Sequence, residues 1–373
     1  MLAHGQTVVQ LMERLAPKHY AVEGDKIGLQ LGTLQKEIRK VLVALDVTEE
    51  VVDEAIFVGA NLIVAHHAII YRPIAKLDTS TPAGRLYEKL IKNDIAVYIS
   101  HTNLDVAEDG MNDWMADLIG IDTEGRLPLD EVHTDKLYKL VVFVPKDYRD
   151  RVLEAVWQAG AGGIGNYSHC SFNLEGTGTF RPLEGADPFI GSTGKLEQVE
   201  EVRIETIVPY SVHRAVIQAM LKAHPYEEVA YDLYPLELKG RSFGLGRVGK
   251  LSAPTTLGEL ADKVKKAFDV PFVRVVGDLQ RSVSKAAVLG GSGAKYFRQA
   301  QFYGADVLVT GDIDYHTAHD ALAAGIALID PGHNAEKIMK AKVADWLARG
   351  LAERKSSTEV VASAVDTEPF RFV

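Results

Sequence analysis

Cysteine is nearly absent from this 373-residue sequence, which carries only Cys170. A lone thiol closes no internal disulfide, so a disulfide-stapled secreted scaffold is excluded and a reducing compartment is favoured. Long apolar runs are missing as well. The most hydrophobic stretch, Ala55 to Ala65, is far too short for a membrane span and is interrupted by Asn61. The opening residues, Met1 to Thr7, lack the basic-then-apolar order of a signal peptide. Cationic charge is in deficit, 41 Lys+Arg against 51 Asp+Glu, for a formal net charge of −10. That balance gives no support to a general nucleic-acid partner. The expectation is a soluble cytoplasmic protein with no membrane partner. What is present, 47% hydrophobic and 25% charged residues, is ordinary globular composition, and the length suits two or three domains.

Hydrophobic spacing predicts an amino-terminal helix capped by Thr7 and ending before Pro17, then a buried strand from Lys40 to Asp46. Thr48 opens a second helix that Gly59 closes. Leu62 to Ala65 and Ile95 to Ile99 are further buried strands, with a helix from Pro82 to Ile91 between them. Short apolar strands alternating with helices imply a mainly parallel sheet covered on both faces. The distal part of the chain repeats the unit: strand Lys285 to Gly290, helix Ala294 to Tyr303, strand Asp306 to Thr310. Superposing the copies without gaps puts Val43 on Val288, Phe57 on Phe302, Gly59-Ala60 on Gly304-Ala305 and Val64 on Val309.

Between the copies the pattern changes. Leu137 to Pro145 and Arg203 to Pro209 are strands, each followed by a helix (Tyr148 to Ala159, Val212 to Ala223). Glycine-rich hairpin material separates the two pairs, and a last strand runs from Glu228 to Tyr234. This βαββαβ order is that of a ferredoxin-like split βαβ domain. The expected fold is therefore α/β, with duplicated βα units forming a mainly parallel three-layer core (1–130 and 242–373) and an inserted ferredoxin-like α+β domain (131–241).

Chemistry concentrates at the carboxyl ends of core strands, where open α/β sheets bind ligands. His66-His67 follows one strand, and imidazole is the commonest transition-metal ligand. A pair of capping or surface histidines is the plain alternative for His-His alone. The next strand leads into Ser100-His101-Thr102-Asn103-Leu104-Asp105, and a third into Asp330-Pro331-Gly332-His333-Asn334-Ala335-Glu336, where His333 precedes a helix from about Ala335 to Gly350. His66, His67, Asp105, His333 and Glu336 are ligand types suited to two divalent ions if one carboxylate bridges them.

Other motifs carry less. Gly244-Leu245-Gly246-Arg247-Val248-Gly249 has the glycine spacing of a dinucleotide fingerprint but is not followed by a helix. Gly290-Gly291-Ser292-Gly293 is read as a tight strand-to-helix turn, with phosphate binding as the alternative. His316 and His319 are candidates for supporting groups or for a solvated helix start. Cys170 is assigned no catalytic role, and His224-Pro225-Tyr226-Glu227-Glu228 is read as a structured turn rather than a site.

Taken together, Gly24-Asp25-Lys26-Ile27-Gly28-Leu29-Gln30, Ala65-His66-His67, His101 to Asp105, Gly311-Asp312, Gly332 to Glu336 and Glu368-Pro369-Phe370 resemble the Nif-three-like dinuclear metal-centre family, whose members are also called GTP cyclohydrolase type-two homologues. The length and the middle segment resemble the longer bacterial form, with an insert similar to CutA and the signalling protein PII. The resemblance implies His66, His67, Asp105, His333 and Glu336 as ligands of two divalent ions, zinc or iron, with Glu336 bridging. It also implies a homohexameric ring. Two positions depart from the family pattern: Lys26 stands where many relatives have Asn, and His333 and Glu336 are three apart where many relatives have four.

The functional expectation is a dinuclear-metal-dependent hydrolase acting on a small phosphorylated or nucleotide-like substrate. His101 is the candidate catalytic residue, as a proton shuttle or an orienting group, and Arg72 and Lys76 are candidates to meet an anionic group. Ring opening of GTP is a narrower reading carried by the family's naming. The alternative is a metal-binding regulatory or chaperone-like ring without catalysis.

Overall fold

A computed structural model describes residues 1–371. The chain divides into two compact units: Met1–His133 together with Phe243–Val373, and Thr134–Ser242.

The first unit holds two five-stranded sheets. One runs in the order Glu359–Ala362, Lys40–Ala44, Leu62–Ala65, Ala96–Ile99, Gly28–Leu31; its first four strands are parallel and the last is antiparallel. The other runs Arg247–Thr256, Ser282–Ser292, Val307–Gly311, Ala327–Asp330, Arg274–Val276, with three parallel central strands and an antiparallel strand at each edge. Each copy of the repeat thus builds its own sheet rather than half of a common one.

Both faces of each sheet are apolar because both are covered. Val41, Val43, Leu62 and Val64 of the first sheet and Ala286, Val288, Val307 and Val309 of the second share one core cluster with Leu11, Met115, Val264 and Leu347. These last four come from helices Gly5–Leu15, Met111–Ile119, Leu257–Ala267 and Met339–Glu353. The opposite faces pack separately. Leu42, Ile63 and Val97 meet helices Glu49–Val58 and Pro82–Lys92 through Val51, Val52 and Leu90. Ala287, Leu308 and Leu328 meet Phe297, Ala300 and Ala321. Each sheet is therefore the middle of three layers, and one helical layer serves both.

Local signals set most boundaries. Thr48 accepts a hydrogen bond from the Val51 N–H at one end of its helix, and Gly59 closes the other end in the left-handed conformation. Thr7 is a miss: the first helix begins at Gly5 with no side-chain cap. Tertiary pairing decides that start, since Ala3–His4 is stitched to Glu37–Ile38 and a Cβ at Gly5 would lie 2.5 Å from the Leu34 carbonyl oxygen.

The glycine-rich stretch around Arg247 turns out to be a structural clamp. Gly246 turns the chain with φ +63°, and the next element is a strand. Arg247 is buried and donates to both Asp113 oxygens at 2.7 and 2.9 Å and to the carbonyls of Gly244, Gly246 and Ala107 at 2.8 Å each. It ties the returning segment to helix Met111–Ile119, which precedes the insert. Burial works against Asp113, but its bonds from Arg247 and Arg126 hold its carboxyl below the usual range.

The second unit has four strands in the order Tyr231–Leu245, Asp130–Pro145, Glu197–Pro209, Ser171–Phe180. Helices Arg149–Gln158 and His213–Ala223 cover one face through Val152, Val156, Val216 and Met220, packed on Val142, Val144, Val202 and Ile204. Gly176 and Gly178 lie within a strand rather than in a hairpin turn, and the last strand begins at Tyr231. Among the described residues no helix is long and apolar enough to cross a membrane.

Candidate metal centre

Three strands of each sheet end at the site. Past Leu62–Ala65 the chain turns while the N–H groups of His66 and His67 bond back to the Leu45 carbonyl at 3.2 and 3.0 Å. Both rings then face one crevice, with centroids 5.1 Å apart. Strand Ala96–Ile99 delivers Ser100 and His101, and the short helix Thr102–Val106 turns Asp105 inward. From the second sheet, Ala327–Asp330 leads through Gly332, at φ +81°, into a 3-10 helix, His333–Ile338. The expected α-helix begins only at Met339. In a 3-10 helix residues three apart eclipse one another, so His333 and Glu336 stack on one side. That local geometry accounts for their spacing of three.

Glu336 sits at the centre and is 2% exposed. One of its oxygens, Oε1, is 3.7 Å from His66 Nε2, which is 3.6 Å from Asp105 Oδ1. The other, Oε2, is 3.1 Å from His67 Nε2 and 3.3 Å from His333 Nε2. Three groups of donor atoms result: His66, Asp105 and Glu336; His67, His333 and Glu336; and His66, His67 and His101.

Two observations test whether these residues fit cations. His66 Nε2 and Asp105 Oδ1 are fully buried and have no hydrogen-bond partner, which is rare and costly for polar atoms. Their spacing is too long for a hydrogen bond. It is near the ~3.4 Å edge between two ligands that each lie about 2.1 Å from one tetrahedral ion. The second observation is the common state of the rings. A neutral imidazole has one N–H. His66 spends it on the Ser100 carbonyl at 2.9 Å, His67 on Asp46 at 2.7 Å, His101 on Asp25 at 2.9 Å and His333 on Asp312 at 2.7 Å, always through Nδ1. With Nδ1 so engaged, all four rings turn Nε2 to the site, the atom an ion would take in place of a proton, as metal-bound histidines are held. The donor set fits a pair of divalent ions.

Asp25, Asp46, Gly290 and Gly291 were not singled out from sequence as parts of the site, whereas Asp312 ends the repeat strand that matches the one leading to His66-His67 but carried no assigned role. Asp46 follows the first core strand, in the same topological position as the histidines. Asp25 and Asp312 lie within motifs that carried the family resemblance. The glycines make space: a Cβ on Gly291, at φ +65°, would sit 2.7 Å from Glu336 Oε1 and 3.2 Å from His333 Nε2. Gly290 lies in a strand as expected, and the strand, Ser282–Ser292, runs on through Gly291, where the tight turn was expected. His316 and His319 belong to none of the three donor groups and pack on Tyr315 at 5.6 and 4.5 Å. Arg72 and Lys76 are exposed, on the segment that follows the histidine pair.

The electrostatics match a site built for cations. Burial pushes Asp105 up to about 6, with His66 opposing. Burial acts on Glu336 in the same sense, yet the surrounding imidazoles hold it low. His67 resists its burial through Asp46 and Glu336 and rises to about 10. His333, bonded first to Glu336, rises to about 9. Asp25 stays well below the carboxylate range despite its burial, through hydrogen bonds from His101 and Thr102. Ions must therefore displace protons, and loading at pH 7 is expected to release them, read by calorimetry as a heat that varies with the buffer. Raised folded-state values mean that the metal-free fold binds more protons than the unfolded chain. This stabilisation is complete below the ordinary imidazole value of 6.5 and is lost as pH rises through 9 to 10. Melting of chelated protein should show that fall, and loaded protein a smaller one.

The carboxylates behind the rings have their own test. Asp46→Asn and Asp312→Asn should each weaken cation binding by about 10–100-fold through a mis-set ring, with the fold intact. Binding unchanged in both variants would remove the orienting role.

A family model described as Duf34/NIF3 (NGG1p interacting factor 3) matches residues 3–369. The chain belongs to this family. It is 57% identical, over the full length of both chains, to a Halalkalibacterium halodurans protein named GTP cyclohydrolase 1 type 2 homolog. It is 53% identical to the Bacillus subtilis protein of the same name, over 99% of each chain. Among solved structures, a Bacillus cereus protein related to NIF3 superposes with a TM-score of 0.92 at 52% identity, covering all of both chains. A Staphylococcus aureus protein does so with a TM-score of 0.76 at 31% identity, covering 100% of this chain and 99% of the other. Fold and family thus agree with the resemblance drawn from the motifs.

Proposed function

We propose that the chain is a metal-dependent hydrolase that uses two divalent cations, zinc or iron, on a small phosphorylated or nucleotide-like substrate. The single observation that carries this reading is the division of Glu336, one oxygen toward His66 and the other toward His67 and His333. When bound, such a pair of ions supplies Lewis acidity and a more acidic water. Nitrogen and oxygen donors without thiolate suit zinc or iron.

The chain's own residues would divide the remaining work. Asp25, itself held by the Thr102 hydroxyl and N–H, fixes the Nδ1 edge of His101, whose Nε2 is left to accept or return a proton. His66 is fully buried, whereas the His333 side chain is 40% exposed, so substrate would enter from the His333 side. Arg72 and Lys76 would meet an anionic group there. The relatives' name supports a nucleotide, and GTP is the first member of the substrate panel.

The test is turnover by metal-loaded protein on phosphoesters, nucleotides and GTP. Turnover abolished by His67→Ala, and lowered by His101→Gln with cations retained, would support the proposal. No turnover across the panel, or turnover indifferent to chelator, would sink it.

We also propose assembly into a homohexameric ring. Phe57 and Phe302, matched in the repeat, are 90% and 83% exposed, and two such rings left in water favour contact between copies. Phe57→Asp with Phe302→Asp should lower the mass measured by light scattering. A wild-type monomer would refute the ring.

A further inference from the structure

The inserted unit contains a cavity of 480 Å³ walled mainly by apolar side chains, a size typical of small-molecule sites. All of its lining residues belong to Thr134–Ser242. The turn that reads from sequence as merely structural forms one wall. His224, buried, pins that turn: its Nε2 lies 2.9 Å from the Phe143 carbonyl, and its Nδ1 accepts from the Tyr226 N–H at 3.1 Å. Tyr226 is thereby held facing Phe180 and Phe189, with ring centroids at 5.9 and 6.2 Å. Phe189 is steadied from behind by an edge-on contact with Tyr148 at 5.5 Å.

The polar part of the lining is biased in sign. It carries the carboxylates of Glu201, Glu227 and Glu228 against one guanidinium, Arg181. Glu201 accepts the Tyr226 hydroxyl at 3.0 Å through Oε1. Its other oxygen lies over Gly178, where an added Cβ would stand 2.1 Å from Oε2. The missing side chain at 178 is what lets this carboxylate lie across the sheet beside the aromatic rings. Glu227 accepts the Asp187 N–H at 3.0 Å and so anchors the loop that supplies Phe189.

Ring faces attract cations, and most strongly where water is excluded. A carboxylate beside three rings selects an ammonium over a neutral or anionic head, while the apolar remainder of the cavity accepts a flat body. We propose that the inserted unit binds a small aromatic cation of the arylalkylammonium class, with its ammonium between Glu201 and Tyr226 and its ring against Phe180 and Phe189. None of its lining residues belongs to the donor groups of the metal centre, and it does not depend on the hydrolase reading.

The probes are phenethylamine, the neutral 2-phenylethanol and the anionic 3-phenylpropionate, added to the full chain and followed by calorimetry and saturation-transfer NMR. The ammonium is expected to bind saturably and about tenfold or more tightly than the alcohol, and the anion not at all. Glu201→Gln, which keeps the size and the Tyr226 bond, should cost about tenfold for the ammonium and little for the alcohol. Gly178→Ala should act alike by displacing the Glu201 carboxylate. Chelated protein should bind the ammonium as well as loaded protein does. No saturable binding of phenethylamine at millimolar concentration, equal affinity for all three probes, or indifference to Glu201→Gln would each overturn the proposal.

Discussion

Glu336→Ala is expected to empty both cation positions at once. No other side chain of the site gives one oxygen to the group of His66 and Asp105 and the other to the group of His67 and His333. Its removal leaves His66 and Asp105 on one side and His67 and His333 on the other, each pair short of a tight site. Substitutions behind metal ligands already cost about 10–100-fold in affinity, so loss of a shared ligand should exceed ~100-fold on both sides. Metal analysis after dialysis should find Glu336→Ala nearly bare. His333→Ala and His66→Ala should each keep the ion that does not use the deleted ring. Glu336→Ala that retained two equivalents per chain would end the paired-site interpretation and the hydrolase proposal with it.

Arg247→Met should be the most destabilising single change in the first unit. The arginine is buried, satisfies Asp113 on both oxygens and caps three carbonyls. Removing one partner of a buried ion pair costs about 3–5 kcal/mol, because the other charge stays behind unsolvated. The shift of the denaturation midpoint measures this loss. Adding Asp113→Leu should cost less than it does in the wild type, because the bonds it breaks to Arg247 are already gone, and strictly additive losses in the double variant would contradict the clamp. The sign with pH is also set. The Asp113 pair contributes fully above the ordinary carboxylate value of 3.8, and its contribution is lost as pH falls through the lower folded-state value. The difference between wild type and Arg247→Met should therefore shrink in acid.

Much of this was legible in the chain itself. Apolar runs of four or five residues placed Leu62–Ala65 and Lys40–Ala44, and Thr48 and Gly59 bracketed a helix because capping is a local interaction. Strands alternating with helices forecast the α/β class, and five ligand-type side chains stood out because each follows a strand end. Glycine meanings were less accessible. Gly291 reads as a turn residue, and only neighbours met in the tertiary structure, Glu336 and His333, show that a side chain there would crowd the site. Arg247 was masked by a false fingerprint, since its partner Asp113 lies across the whole insert.

Sequence alone determined which residue types reach the strand ends, since strand period, caps and helix spacing are written within a few neighbours. Only the tertiary structure decided that the repeat becomes two sheets. It also decided that Asp25, Asp46 and Asp312 orient three of the rings, and that one carboxylate divides between two groups of donors. The carboxylate–ring contacts join residues 21 to 76 apart in different loops, and Glu336 reaches His67 across 269 residues, so their meeting is set by packing of the sheets and the shared helical layer and not by any local preference.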